Sequence, residues 1–113
     1  MKKLLFGVVA ASAMVFASVP SAYAEISPPL HNKLKKNGCY ECHRNEEKFI
    51  GPSFQEIGQR YRESANPALI DLLTKKIING GLGAWGNTPM NSNPQVPNGE
   101  ARTIVKLILQ PKK

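Results

Sequence analysis

Apolar residues recur at helical spacing in four stretches of the chain, separated by segments rich in glycine and proline. In the first stretch Ser27 is the predicted N-cap. Pro28 occupies the first helical position, where a missing N–H costs nothing. Leu30 and Leu34 share one face, and Asn37-Gly38 should stop or bend the helix just before Cys39. The second stretch opens on Ser53-Phe54-Gln55-Glu56, a capping-box pattern, with Phe54, Ile57 and Tyr61 spaced for one buried face. The third begins at Asn66-Pro67 and carries Leu69, Ile70, Leu72, Leu73, Ile77 and Ile78. It meets Asn79-Gly80-Gly81, where glycine can take the left-handed conformation of a C-cap. The fourth runs through Ala101, Ile104, Val105, Ile108 and Leu109 to Pro111. No strand alternation, internal repeat or heptad run interrupts this pattern. The expected fold class is all-α, with about four helices.

Between the third and fourth stretches the character changes. Gly80, Gly81, Gly83, Gly86, Pro89, Pro94, Pro97 and Gly99 leave no room for a helix or a regular strand. An irregular loop of about 20 residues is uncommon in a compact domain and is usually functional. Here it is expected to wrap around something.

The N-terminus reads differently again. Lys2 and Lys3 precede an apolar run from Leu4 to Val19, and Ala22-Tyr23-Ala24 sets small residues at the two positions a signal peptidase reads. This predicts a secretory signal peptide over 1–24 and one domain over 25–113. An uncleaved membrane anchor is the rival reading. The run is about 16 residues and contains Gly7, Ser12 and Ser18, short of the roughly 20 apolar residues a bilayer needs. No stable membrane insertion is expected after cleavage. Loss of Lys2 and Lys3 would lower the formal charge from +7 to +5.

So small a domain buries proportionally little surface and usually needs a disulfide, metal or cofactor. The chain has 2 cysteines, Cys39 and Cys42, and a disulfide between them would close too short a loop to remove much unfolded-state entropy. A cofactor is therefore expected before any motif is read.

Cys39-Tyr40-Glu41-Cys42-His43 spells C-x-x-C-H, the haem attachment signature. Two thiols can add to the haem vinyl groups as thioethers, and the adjacent histidine then lies beneath the iron. One alternative is a dithiol–disulfide redox motif, which needs a βαβ frame that this sequence does not offer. A zinc site is another, but two cysteines and one neighbouring histidine fall short of four well-placed ligands. The sixth iron ligand follows by elimination. Electron carriers fill it with methionine or a second histidine. Of the 3 methionines, Met1 and Met14 would leave with the signal, so Met90 remains, inside the irregular loop. The competitor is His31 on the first helix, whose plainer reading is a surface histidine. An open or easily displaced sixth position would instead suit a haem sensor or peroxidase.

The chain resembles the short bacterial class I cytochromes c. The resemblance rests on Gly38-Cys39-Tyr40-Glu41-Cys42-His43, Lys48-Phe49-Ile50-Gly51-Pro52, Ile77-Ile78-Asn79-Gly80-Gly81 and Gly83-Ala84-Trp85-Gly86-Asn87-Thr88-Pro89-Met90, in that order. It implies a cytochrome c fold, with helices and a long Gly/Pro-rich methionine loop around one covalent haem c with His/Met iron. It also implies a monomeric one-electron carrier of the periplasm rather than an enzyme. By the same resemblance, Pro52 accepts the ligand histidine's N–H, Trp85 and Lys76 meet a haem propionate, and Asn93 steadies the ligand methionine. Two positions depart from the pattern: Asn91 stands where many relatives have proline after the methionine, and Leu107 replaces a tryptophan common in the last helix.

Charge bears on partners. Lys33, Lys35, Lys36, Lys48, Lys75 and Lys76 outnumber nearby acids, which should steer an acidic redox partner protein toward the haem edge. Nucleic acid is not expected as a partner, because no long basic cluster is present.

Overall fold

The computed structural model describes Gly7, residues 10–15 and residues 26–111. The expected signal-peptidase site at Ala22–Ala24 lies outside the described residues. Four α-helices form: α1 (Pro28–Lys36), α2 (Phe54–Tyr61), α3 (Pro67–Asn79) and α4 (Asn98–Ile108). None of them is long and apolar enough to cross a membrane.

Local chemistry accounts for their ends. Ser53 Oγ accepts the Glu56 N–H at 3.0 Å, and Asn66 Oδ1 accepts the Leu69 N–H at 2.8 Å, so α2 and α3 are capped as their sequences predict. Ser27 has the extended backbone of an N-cap but makes no side-chain bond, and Pro28 starts α1 without one. Gly38 takes the chain out of α1 at φ 73° and ψ 16°, in the left-handed region, at the place where the helix is expected to stop or bend. Gly80 departs from expectation. Its φ is 71°, but its ψ of −165° sends the chain into extended structure instead of closing a left-handed cap.

That extended structure corrects the expectation of a wholly irregular loop and of a chain without strands. Gly81–Gly83 (β1) and Gly86–Met90 (β2) pair antiparallel, with Gly83 opposite Gly86 and Gly81 opposite Met90. Gly83 and Gly86 flank the two-residue tip at φ 101° and 110°, backbone that other residues rarely adopt. The same glycines that argue against a regular strand make this tight hairpin possible. The last helix also starts earlier than its apolar pattern, because Asn98, Gly99 and Glu100 form its first turn.

The core is built mainly by α1 and α4. Leu30, Leu34, Phe54, Ala101, Ile104, Val105 and Leu109 are buried, joined by Val96 from the loop. Leu107 is half-buried and packs against this cluster. Lys33 donates to Glu100 Oε1 at 2.8 Å, tying α1 to α4, and holds that carboxyl below the ordinary glutamate range. Arg102 on α4 pairs with Asp71 on α3. Helix α3 contributes only Thr74 to the fully buried set. Its Leu73 and Ile77 line a cavity, which α3 walls together with residues of α2, the hairpin and the attachment segment, and Ile77 also packs against the core cluster.

Candidate haem site

The cysteine segment is set by the turn that follows α1. Cys39–Glu41 forms a 3-10 turn, and the His43 N–H donates to the Cys39 carbonyl at 3.0 Å. Arg44 braces the same turn, donating to the carbonyls of Tyr40 and His43 while its guanidinium stacks 4.1 Å from the Phe49 ring centroid. His43 is buried, with its ring 5.2 Å from that of Phe54. Its Nδ1 lies 2.7 Å from the Pro52 carbonyl oxygen. A carbonyl only accepts, so Nδ1 carries the proton and Nε2 keeps the lone pair that a metal would use.

Gly51 makes room for this ring. Its N–H donates to the Cys42 carbonyl at 2.8 Å. A Cβ at position 51 would stand 2.6 Å from His43 Cε1 and 2.9 Å from Nδ1. The ring cannot yield without losing its bond to Pro52. Gly51→Ala is therefore expected to destabilise the haem-loaded protein by about 1–3 kcal/mol, the usual range for overpacking. Urea unfolding followed by absorbance measures it, and an unchanged midpoint would show that the ring is not held as described.

The methionine loop is secured by the end of α3. The Asn93 N–H donates to Ile78 O at 3.0 Å, and its Nδ2 donates to Ile77 O at 3.0 Å and Asn91 O at 3.1 Å. A Cβ on Gly80 would run into the Met90 carbonyl and stand 2.8 Å from Ser92 N. Asn93 thus steadies the loop through backbone carbonyls, including that of Asn91, the position that departs from the family pattern. Lys76 passes over Gly81, where a Cβ would be 2.5 Å from its Nζ. Trp85, at the hairpin tip, is 37% exposed and meets Tyr61 edge to face at 6.2 Å.

These elements enclose one cavity of about 320 Å³. Cys39, Cys42, His43, Pro52, Lys76, Trp85, Met90 and Asn93 all line it, so these eight candidates meet at the same space. Leu34, Phe54, Ile57, Leu73, Ile77 and Ile104 supply apolar wall. His31, the rival ligand, does not line it. That residue is exposed, with Nδ1 2.9 Å from the Tyr40 hydroxyl, which in turn donates to Asn45 Oδ1 at 2.8 Å.

The donor set fits a tethered porphyrin. Two thiols, an imidazole with Nε2 available and a thioether open on one apolar chamber. The set does not suit the alternatives. Burial pushes the Cys39 thiol up, opposite to the depression a reactive dithiol needs. No group of three or more His, Cys, Asp or Glu side chains among the described residues could hold a metal ion by itself.

Arg60 and Arg44 escaped the sequence reading. Arg60 reaches Ala84 and Trp85, 24 and 25 positions away, and no spacing rule connects them.

No protein-family model matches the chain. Known proteins do. Cytochrome c-551 of Allochromatium vinosum is 36% identical over 80% of this chain and 88% of its own length. Cytochrome c-551 of Azotobacter vinelandii is 43% identical over 66% of this chain and 88% of its own. The crystal structure of Nitrosomonas europaea cytochrome c552 superposes with a TM-score of 0.64 at 33% identity, covering 70% of this chain and 95% of that one. A helical chamber with a C-x-x-C-H segment on one wall defines a haem-binding class of protein. The chain belongs to the small monohaem c-type cytochromes. It has the cytochrome c fold, holds one covalently bound haem c, and is an electron-transfer protein rather than an enzyme.

Proposed function

We propose that this cytochrome is a soluble, exported one-electron shuttle whose haem iron is held by His43 and Met90, with Cys39 and Cys42 as the thioether anchors. The observation that carries this reading is the pairing of an imidazole whose Nδ1 is committed to Pro52 with a thioether lining the same cavity. When bound, the haem supplies a reversible Fe(III)/Fe(II) couple. The chain's residues do the rest. His43 is fixed in one tautomer and orientation by Pro52 and by contact with Gly51. Met90 would supply the second protein ligand to the iron, which would keep substrates off it, and its sulfur would favour the reduced state. The apolar wall acts in the same direction, because the oxidised centre carries the extra positive charge. Trp85 and Lys76 line the cavity and could meet haem carboxylates there, and Asn93 holds the loop that carries Met90.

In this reading residues 1–24 are a cleaved signal peptide, residues 25–113 are the working domain, and the site of action is the periplasm. Its partners are respiratory redox proteins with acidic docking faces, met by the excess of lysines on this chain. The test is a visible spectrum and a redox titration of the exported, purified product. Low-spin haem bands, a weak red-edge sulfur-to-iron band in the oxidised form and a single one-electron wave are expected. A high-spin spectrum or a mass without added haem would overturn the assignment.

A further inference from the structure

The hairpin that carries Trp85 is weakly supported. Residues 81–89 are exposed, and an isolated two-stranded hairpin is marginal in water. At the tip, Gly83 and Gly86 have open space where a Cβ would stand. Among the described residues, one side chain from elsewhere in the fold bonds to this tip, that of Arg60 in the last turn of α2. Its Nη1 donates to the Ala84 carbonyl at 2.7 Å, and its guanidinium carbon lies 4.2 Å from the Trp85 ring centroid. The same guanidinium is 5.5 Å from the Tyr61 ring, which meets Trp85 edge to face. Trp85, Tyr61 and Ala84 line the cavity, whereas Arg60 is exposed and does not. The indole N–H donates to no acceptor among the described residues, and an indole has no second polar group to bond.

We propose that Arg60 is a positioning residue for the haem: clamped to the indole and to the Ala84 carbonyl, it fixes Trp85 so that its N–H is presented to a haem carboxylate. This rests on the reading that haem occupies the cavity. Two features suit arginine to the task. A planar guanidinium can stack on a ring and still aim a donor along its edge, which a lysine ammonium cannot reproduce. A cation held against the ring face also draws electron density from the indole, which makes its N–H a stronger donor.

Trp85 is the only tryptophan in the chain, so one indole signal reports the clamp. In the reduced haem-loaded protein, Arg60→Gln is expected to speed exchange of the indole N–H by about tenfold, as loss of a cation–π contact and a charged hydrogen bond together would. It should also shift the midpoint potential, and the same substitution made in Trp85→Phe should shift it no further. Indole exchange unchanged by Arg60→Gln would overturn the proposal. Equal potential shifts in both backgrounds would too, because Arg60 would then act through its charge alone. Failure of the underlying reading shows separately. If haem does not sit beside Trp85, the wild-type tryptophan emission is bright instead of quenched, whatever Arg60 does.

Discussion

Met90→Ala is expected to leave haem attached through Cys39 and Cys42 while lowering the midpoint potential by on the order of 0.1–0.3 V, part of the roughly 0.8 V over which axial ligands set haem potentials. The expectation depends on the loop surviving the substitution. Its anchors are Asn93 with the carbonyls of Ile77, Ile78 and Asn91, together with the close approach of Gly80 to the backbone at Met90. None of these uses the methionine side chain, so truncation should remove the sulfur and little else. The oxidised iron would lose a ligand that favours the reduced state, and an open coordination position would admit cyanide or carbon monoxide. Potentiometric titration and ligand titrations on the two proteins measure both effects. Equal cyanide affinity in wild type and variant would exclude Met90 as an axial ligand.

The site was legible where its chemistry is local in sequence. The C-x-x-C-H segment, with the glycine ahead of it, fits within six consecutive residues, and Met90 was isolated by counting. The caps of α2 and α3 were equally legible, because a capping side-chain oxygen and the N–H that donates to it are three residues apart. The hairpin was not. Its strands are three and five residues long, three of their residues are glycines, two of them flanking the turn, and period-two alternation has nothing to register on. The first turn of α4 was missed for a related reason: Asn98 and Gly99 read as loop by propensity, and packing of Ala101 and Ile104 overrides them. Helix α3 was read correctly as apolar, but its face was not assignable. Only the fold shows that Leu73 lines the cavity and that Ile77 both lines it and packs against the core cluster. The Arg60–Trp85 clamp joins a helix to a hairpin tip, and such a pairing has no one-dimensional signature.

That division of apolar surface sets the size of the second large effect. Cys39→Ser combined with Cys42→Ser is expected to lower the thermal midpoint by more than about 20 °C relative to the haem-loaded wild type. Burying a large apolar side chain is worth about 1.5–3 kcal/mol. Ile57, Leu73 and Ile77 line the cavity and are only partly buried by protein atoms, so a porphyrin there would complete much of their burial. Losing a share of it from each amounts to several kcal/mol, against a total of about 5–15 kcal/mol for a typical domain. In a domain of this size each kcal/mol moves the midpoint by about 4–8 °C. The cluster of Leu30, Leu34, Phe54 and Ile104 joins α1, α2 and α4 and touches the cysteine pair only at its edge, through Cys39, so residual helix is expected without a sharp transition. Circular dichroism melts of the two proteins test this. A cooperative transition within a few degrees of wild type, in a variant shown to be free of haem, would mean that the polypeptide completes its core alone and that the cavity walls are stable without the cofactor.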